Sequence, residues 1–127
     1  MRRLTVLILS TLCLTPVAIF AQDDGDLSEV ERFTGGDAAN GAKLYKRYCA
    51  GCHGADGRGG AHTFMPHIQN LTKKDYIEFL PDGYLYTVIA EGGEAVGKSA
   101  YMPAWGGTLS EQEIKDIIAH IRTLPTY

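Results

Sequence analysis

The chain has 127 residues, 45% of them hydrophobic, with twelve Lys and Arg against fifteen Asp and Glu and a net charge of −3 at pH 7. That length suits a single domain with limited apolar surface for a core. The acidic balance excludes nucleic acid and anionic lipid as natural partners and favours basic or neutral protein surfaces.

Residues 1–21 have the form of a secretory signal: Arg2 and Arg3, an apolar run, then small residues ending at Ala21. The run is interrupted by Ser10, Thr11 and Pro16 and is short for a membrane span. Cleavage is expected after Ala21, with an uncleaved anchor as the alternative because Ile19 is not an ideal residue at that distance from the site. Cys13 follows Leu12, too large a residue for lipoprotein processing, so it reads as an apolar part of the signal. Removal of this segment takes Arg2 and Arg3 with it and leaves ten basic against fifteen acidic residues, a net charge of −5. Export places the mature chain in the periplasm.

Residues 22–36 hold Asp23, Asp24, Asp26, Glu29 and Glu31 among few apolar positions and read as a solvated acidic leader or linker. Residues 37–127 form the expected domain. Gly35-Gly36-Asp37 opens a first helix with Asp37 as its N-cap. Ala38, Gly41, Leu44, Tyr45 and Tyr48 recur at helical spacing and mark its buried face. That helix delivers Cys49 at its C-terminal end.

Cys49-Ala50-Gly51-Cys52-His53 is the C-x-x-C-H run of covalent haem attachment. Two thiols three residues apart on a tight turn reach the two vinyl groups of one porphyrin as thioethers, and the next imidazole points at the iron. A thioredoxin-like redox pair would need a βαβ pattern, and nothing here alternates strands with helices. A zinc site would need about four ligands, yet the remaining cysteine is Cys13, in the signal. Export fits the haem reading, since two thiols in an oxidising compartment otherwise become a disulfide. The implied cofactor is one covalently attached haem c.

The run after the motif, with Gly54, Gly57, Gly59 and Gly60, breaks regular structure and lets backbone pass close to a flat ligand. A loop with Phe64, Met65, Pro66 and Ile68 follows. Thr72 is expected to cap a short helix running to Phe79. Pro81-Asp82-Gly83 starts another, with Leu85, Val88 and Ile89 on one face and Gly92-Gly93 as its stop. Residues 94–108 are irregular. In the last helix, Ser110 with Glu113 makes a capping box, and Leu109 with Ile114 makes the hydrophobic staple beside it. Ile114, Ile117, Ile118, Ile121 and Leu124 form one apolar stripe. With no clean strand alternation, the chain is expected to be all-α, with long loops around a cofactor.

The sixth iron position has five candidates: His62, His67, His120, Met65 and Met102. His120 falls on the last helix's apolar stripe and reads as an interface residue. His62, Met65 and His67 lie close to His53 along the chain, which must first pass around the porphyrin edge. Met102 is preferred: it lies far along the chain in an irregular loop, and Pro103 after it blocks helix. His/Met ligation raises the haem reduction potential, because the soft thioether favours the ferrous state. Tyr101 and Trp105 line the pocket or bond a propionate, with plain core packing the alternative for each.

On these residues the chain resembles the class I c-type cytochromes, small monohaem electron carriers, over roughly residues 37–125. Gly41, Tyr45 and Cys49 at four-residue steps match the family's first helix, in which a Gly lets the C-terminal helix cross closely and an aromatic packs beside it. Residues 99–105 resemble its methionine loop and residues 117–124 its closing helix, with His120 where an aromatic is usual. The resemblance implies the cytochrome c fold, with N- and C-terminal helices crossing and short helices and loops around one haem. It also implies that the Pro66 carbonyl accepts the proximal histidine's Nδ1–H and orients the ring.

A closed His/Met haem has no position for substrate, so the expected function is one-electron transport between donor and acceptor redox proteins of a respiratory or dehydrogenase system. That is a carrier, not an enzyme. Membrane contact would come only through partner complexes or an uncleaved signal. Two rivals stay open: a haem enzyme or gas binder if Met102 is not a ligand, and a bound electron-transfer subunit of an oxidase or dehydrogenase complex.

Overall fold

The structure, a computed structural model, describes residues 31–59 and 68–127. Among them the regular elements are α1 (Ala38–Tyr48), α2 (Ala50–His53), α3 (Lys74–Ile77), α4 (Asp82–Glu91), a 3-10 turn (Glu94–Val96) and α5 (Glu111–Ile121). These residues contain no strand, and none of their helices is long and apolar enough to cross a membrane.

Helix α1 begins where Asp37 accepts hydrogen bonds from the Ala39 and Asn40 N–H groups, satisfying two of its orphan donors. Helix α5 begins with the full capping box: Ser110 accepts from the Glu113 N–H while the Glu113 carboxylate accepts from the Ser110 N–H at 2.8 Å. Leu109 and Ile114 are both buried beside that cap.

The two helices cross where Gly41 faces the Asp116 carbonyl. A Cβ on Gly41 would stand 1.9 Å from that oxygen, so no other residue permits this approach. One turn on, Tyr45 is fully buried and meets the His120 ring edge-on at 5.1 Å. His120 therefore fills the aromatic's place in the crossing, and burial pushes its pKa down. Ile114, Ile117, Ile118 and Ile121 are buried as one face of α5, while Leu124 packs on the core just beyond the helix end.

A polar clip fixes the crossing. The Asp116 carboxylate accepts hydrogen bonds from the Asp37 N–H, the Asn40 amide and the Gln112 amide, each at 2.8 Å. Burial pushes this carboxyl's pKa up, but the three hydrogen bonds outweigh it and hold the group below the ordinary carboxylate range.

A second polar hub joins α3, α4 and α5. Arg122, just past α5, pairs with the buried Asp82 carboxylate and donates to the Ile77 and Leu80 carbonyls. Charge-assisted bonds of this kind hold the end of α3 and the start of α4 against the last helix.

One local expectation is corrected. Thr72 does not cap α3; Lys73 holds the cap position without a side-chain bond. Thr72 is instead buried, and its N–H and hydroxyl both donate to the Asn70 side chain at 2.8 Å, closing a turn before the helix. Residues 31–36, the described end of the acidic leader, are exposed except at Phe33 and are tied to the domain as a strap. The Glu31 carbonyl accepts from the Asp82 N–H at 3.0 Å, and the Phe33 N–H donates to the Asp82 carboxylate at 2.6 Å. Phe33 meets Tyr86 edge-on with Lys115 over its ring, and the Gly35 carbonyl accepts from Gln112. One aromatic and a series of backbone bonds dock the strap despite its charge.

Candidate functional site

Tyr48 ends α1, and Cys49 caps it, donating its N–H to the Tyr45 carbonyl at 2.8 Å. The chain re-enters helix at once: the Cys52 and His53 N–H groups both donate to the Cys49 carbonyl, at 3.1 and 2.9 Å. One short turn thus carries Cys49, Cys52 and His53 together. Both cysteines are free thiols, Cys49 buried and Cys52 half-buried. Burial, and then the neighbouring Cys52, push the Cys49 pKa up to about 12.

His53 lies half-buried, its Nδ1 3.4 Å from the Gln69 carbonyl, a long contact for a hydrogen bond. Burial pushes its pKa down and the Gln69 contact partly opposes this. The ring is thereby favoured in its neutral form, the form that ligates metals. Pro66, expected to accept from this nitrogen, lies outside the described residues, as do His62, Met65 and His67. Gln69 was not among the expected residues, and nothing in its side chain marks it, since the acceptor is its backbone.

The motif opens onto a cleft of about 520 Å³, within the roughly 300–1,000 Å³ of small-molecule and cofactor sites. Its walls are mostly apolar and aromatic: Tyr45 and Tyr48 from α1, Leu71, Ile77 of α3, and Leu85 and Ile89 of α4. Cys49, Cys52, His53, Met102, Tyr101 and Trp105 all line it. His120 does not; its ring is spent on Tyr45.

The loop carrying Met102 is laced to the end of α4, where the helix leaves carbonyls without intrahelical partners. The Trp105 and Gly106 N–H groups donate to the Ile89 and Ala90 carbonyls, each at 2.9 Å. Gly93 donates to the Met102 carbonyl at 2.9 Å, and Met102 donates to the Ser99 carbonyl at 3.1 Å. A Cβ on Gly93 would lie 2.4 Å from the Ser99 oxygen and 3.1 Å from the Met102 Cβ, so glycine is required for the loop to close. Gly92-Gly93 was expected only as a helix stop; it also seats the methionine.

Trp105 is half-buried and packs on Tyr48 with ring centroids 5.2 Å apart, while Arg47 covers the other end of this pair from over the Tyr48 ring. Tyr101 is 78% exposed, so it borders the mouth and is no core residue.

The donor set fits a haem: two thiols on one turn, an imidazole beside them and a thioether sulfur, all on one apolar cleft. Among the described residues, no group of three or more His, Cys, Asp or Glu side chains could hold a metal ion.

The family model described as cytochrome C oxidase, cbb3-type, subunit III matches residues 36–121. The chain belongs to this family of c-type cytochromes. Membership of a family of c-type cytochromes implies covalently attached haem c. A cytochrome c6 from Bryopsis maxima is 36% identical over 87 residues, 68% of this chain and 91% of that protein. The cbb3-type cytochrome c oxidase subunit FixP of Bradyrhizobium diazoefficiens is 32% identical over 98 residues, 77% of this chain. This c-type cytochrome spans only 31% of that subunit's length. Among solved structures, the KustC0563 c-type cytochrome has a TM-score of 0.58 at 22% identity, covering 68% of this chain and 98% of its own. That likeness shows the same fold, with α1 and α5 in contact.

Proposed function

We propose that the chain is an exported monohaem cytochrome c that moves single electrons between protein partners in the periplasm. Cys49 and Cys52 would hold the haem through thioethers, and His53 and Met102 would ligate its iron. The observation that carries this is the convergence of all four side chains on one apolar cleft from two distant stretches of sequence.

When bound, the haem supplies a ferric–ferrous couple of raised potential, as His/Met ligation does. The chain's own residues do the rest. The short turn of α2 fixes both thiols and the imidazole to one backbone segment. Gly93 and the end of α4 tie down the loop that carries Met102, which would limit its movement when an electron is gained or lost. Aromatic and aliphatic walls exclude water, and Tyr101 at the mouth leaves a face for brief contact with partners.

A ferric absorption band toward the red, the mark of an iron–thioether bond, tests the assignment. It should be present in the wild type and absent from Met102→Ala. A wild type without the band would favour an open iron and the chemistry of a haem enzyme or gas binder.

A second reading has its own support: the matching family model is an oxidase subunit, and FixP is named as one. In that reading the same domain feeds electrons within a complex. Cell fractionation separates the two, a free carrier appearing in the periplasmic fraction and a subunit with the oxidase in membranes.

A further inference from the structure

We propose that Lys98 is the cationic contact for the carboxylate edge of the haem, and that it raises the reduction potential of the iron from that place. The proposal rests on the haem reading above.

Among the described residues, Lys98 is the one Lys or Arg lining the cleft, and no Asp or Glu lines it. Lys98 is exposed and its ammonium has no ion pair among the described residues, which is equally true of Lys43 and Lys46; its place at the cleft is what sets it apart. An unpaired cation at an apolar cleft is the complement of the two propionates that a porphyrin brings. Carboxylates drawn against apolar walls lose hydration and need charged donors. Ser99 and the Trp105 indole also line the cleft, but as neutral groups they offer hydrogen bonds without neutralising charge.

The backbone holds Lys98 in step with the methionine. The Lys98 N–H donates to the Gly93 carbonyl at 2.8 Å, and the Gly93 N–H donates to the Met102 carbonyl at 2.9 Å. One glycine therefore sets the positions of both residues at the cleft. A positive charge held there opposes the extra positive charge of ferric iron and so favours the ferrous state.

The test uses full-length holoprotein carrying Lys98→Met, Lys98→Gln, Lys98→Arg or Lys43→Met. Lys43 is exposed on α1 and does not line the cleft. Potentiometric titration followed by visible spectra reads the potential, and resonance Raman reads the propionate bending band.

Lys98→Met is expected to shift the reduction equilibrium about threefold toward ferric iron, roughly 30 mV downward at ~59 mV per tenfold for one electron. The propionate band should move with it. Lys98→Gln repeats the result should Lys98→Met yield little holoprotein. Lys98→Arg should restore most of the wild-type potential, and Lys43→Met should leave it unchanged. Wild-type potential and propionate band in both neutral variants overturn the proposal; a change confined to salt-dependent partner rates would make Lys98 a docking charge instead. A wild type without attached haem would be seen first in its spectrum and would defeat the haem reading itself.

Discussion

Gly41 lies so close to the Asp116 carbonyl that the smallest side chain would overlap it, with 1.9 Å between a built Cβ and the oxygen. The obstacle is backbone, which cannot rotate away as a side-chain tip can. Gly41→Ala is therefore expected to push α1 from α5 and destabilise the holoprotein by about 3 kcal/mol or more. Denaturant unfolding measures this, and wild-type stability in the variant would count against the crossing.

Gly93→Ala should act on the site more than on the fold. Its Cβ would meet the Ser99 carbonyl at 2.4 Å and crowd Met102. The expected outcome is haem still attached through Cys49 and Cys52 but a weakened or absent red ferric band. An unperturbed band in that variant would show that Gly93 does not seat the methionine.

The Arg122–Asp82 pair is mostly buried, with side-chain exposures of 17% and 5%. Removing one partner leaves a buried charge uncompensated, and Arg122→Met also takes a charged donor from the Ile77 and Leu80 carbonyls, which keep only the Leu80 N–H and Arg32 respectively. A loss of about 3–5 kcal/mol is expected. The Asp82→Asn, Arg122→Met double variant should lose less than the sum of the singles, and additive losses would show the two residues to be uncoupled.

Asp116 gives the fold a defined acid limit. Its carboxyl is held below its ordinary value in the folded chain, so the unfolded chain binds the proton more readily. The stabilisation is full above the unfolded pKa of about 4 and is lost as pH falls below it, through the folded value. Asp116→Asn should be less stable than wild type at pH 7 and should lose less on acidification from pH 5 to pH 2. Parallel stability profiles for the two proteins would remove Asp116 from this role.

The parts of the fold legible in sequence are those written in adjacent residues. Asp37, the Ser110–Glu113 box, the Cys49–His53 turn and the isoleucines of α5 each announce themselves within one or two helical turns. What escaped reading depends on distant partners. Asp116 looks like one more charge on a surface helix until Asn40 and the start of α1 close around it. Arg122 and Asp82 lie 40 positions apart, and no local pattern links them. A hydroxyl ahead of a helix usually caps it, as Thr72 suggests in sequence; Asn70, two residues earlier, takes its donors instead. In the site, residue chemistry marked Cys49, Cys52, His53 and Met102, whereas Gln69 and Gly93 act through backbone atoms, which composition does not distinguish.

The strap of residues 31–36 also sets where the preceding chain meets the domain. It runs from Asp82 past Tyr86 to Gln112, and none of its residues lines the cleft. Chain arriving at Glu31, whether a retained membrane anchor or another domain, therefore joins on a flank set by Phe33, and the strap itself leaves the mouth beside Tyr101 uncovered. In the proposed role, a free carrier and one tethered ahead of Glu31 would present the same residues lining the cleft.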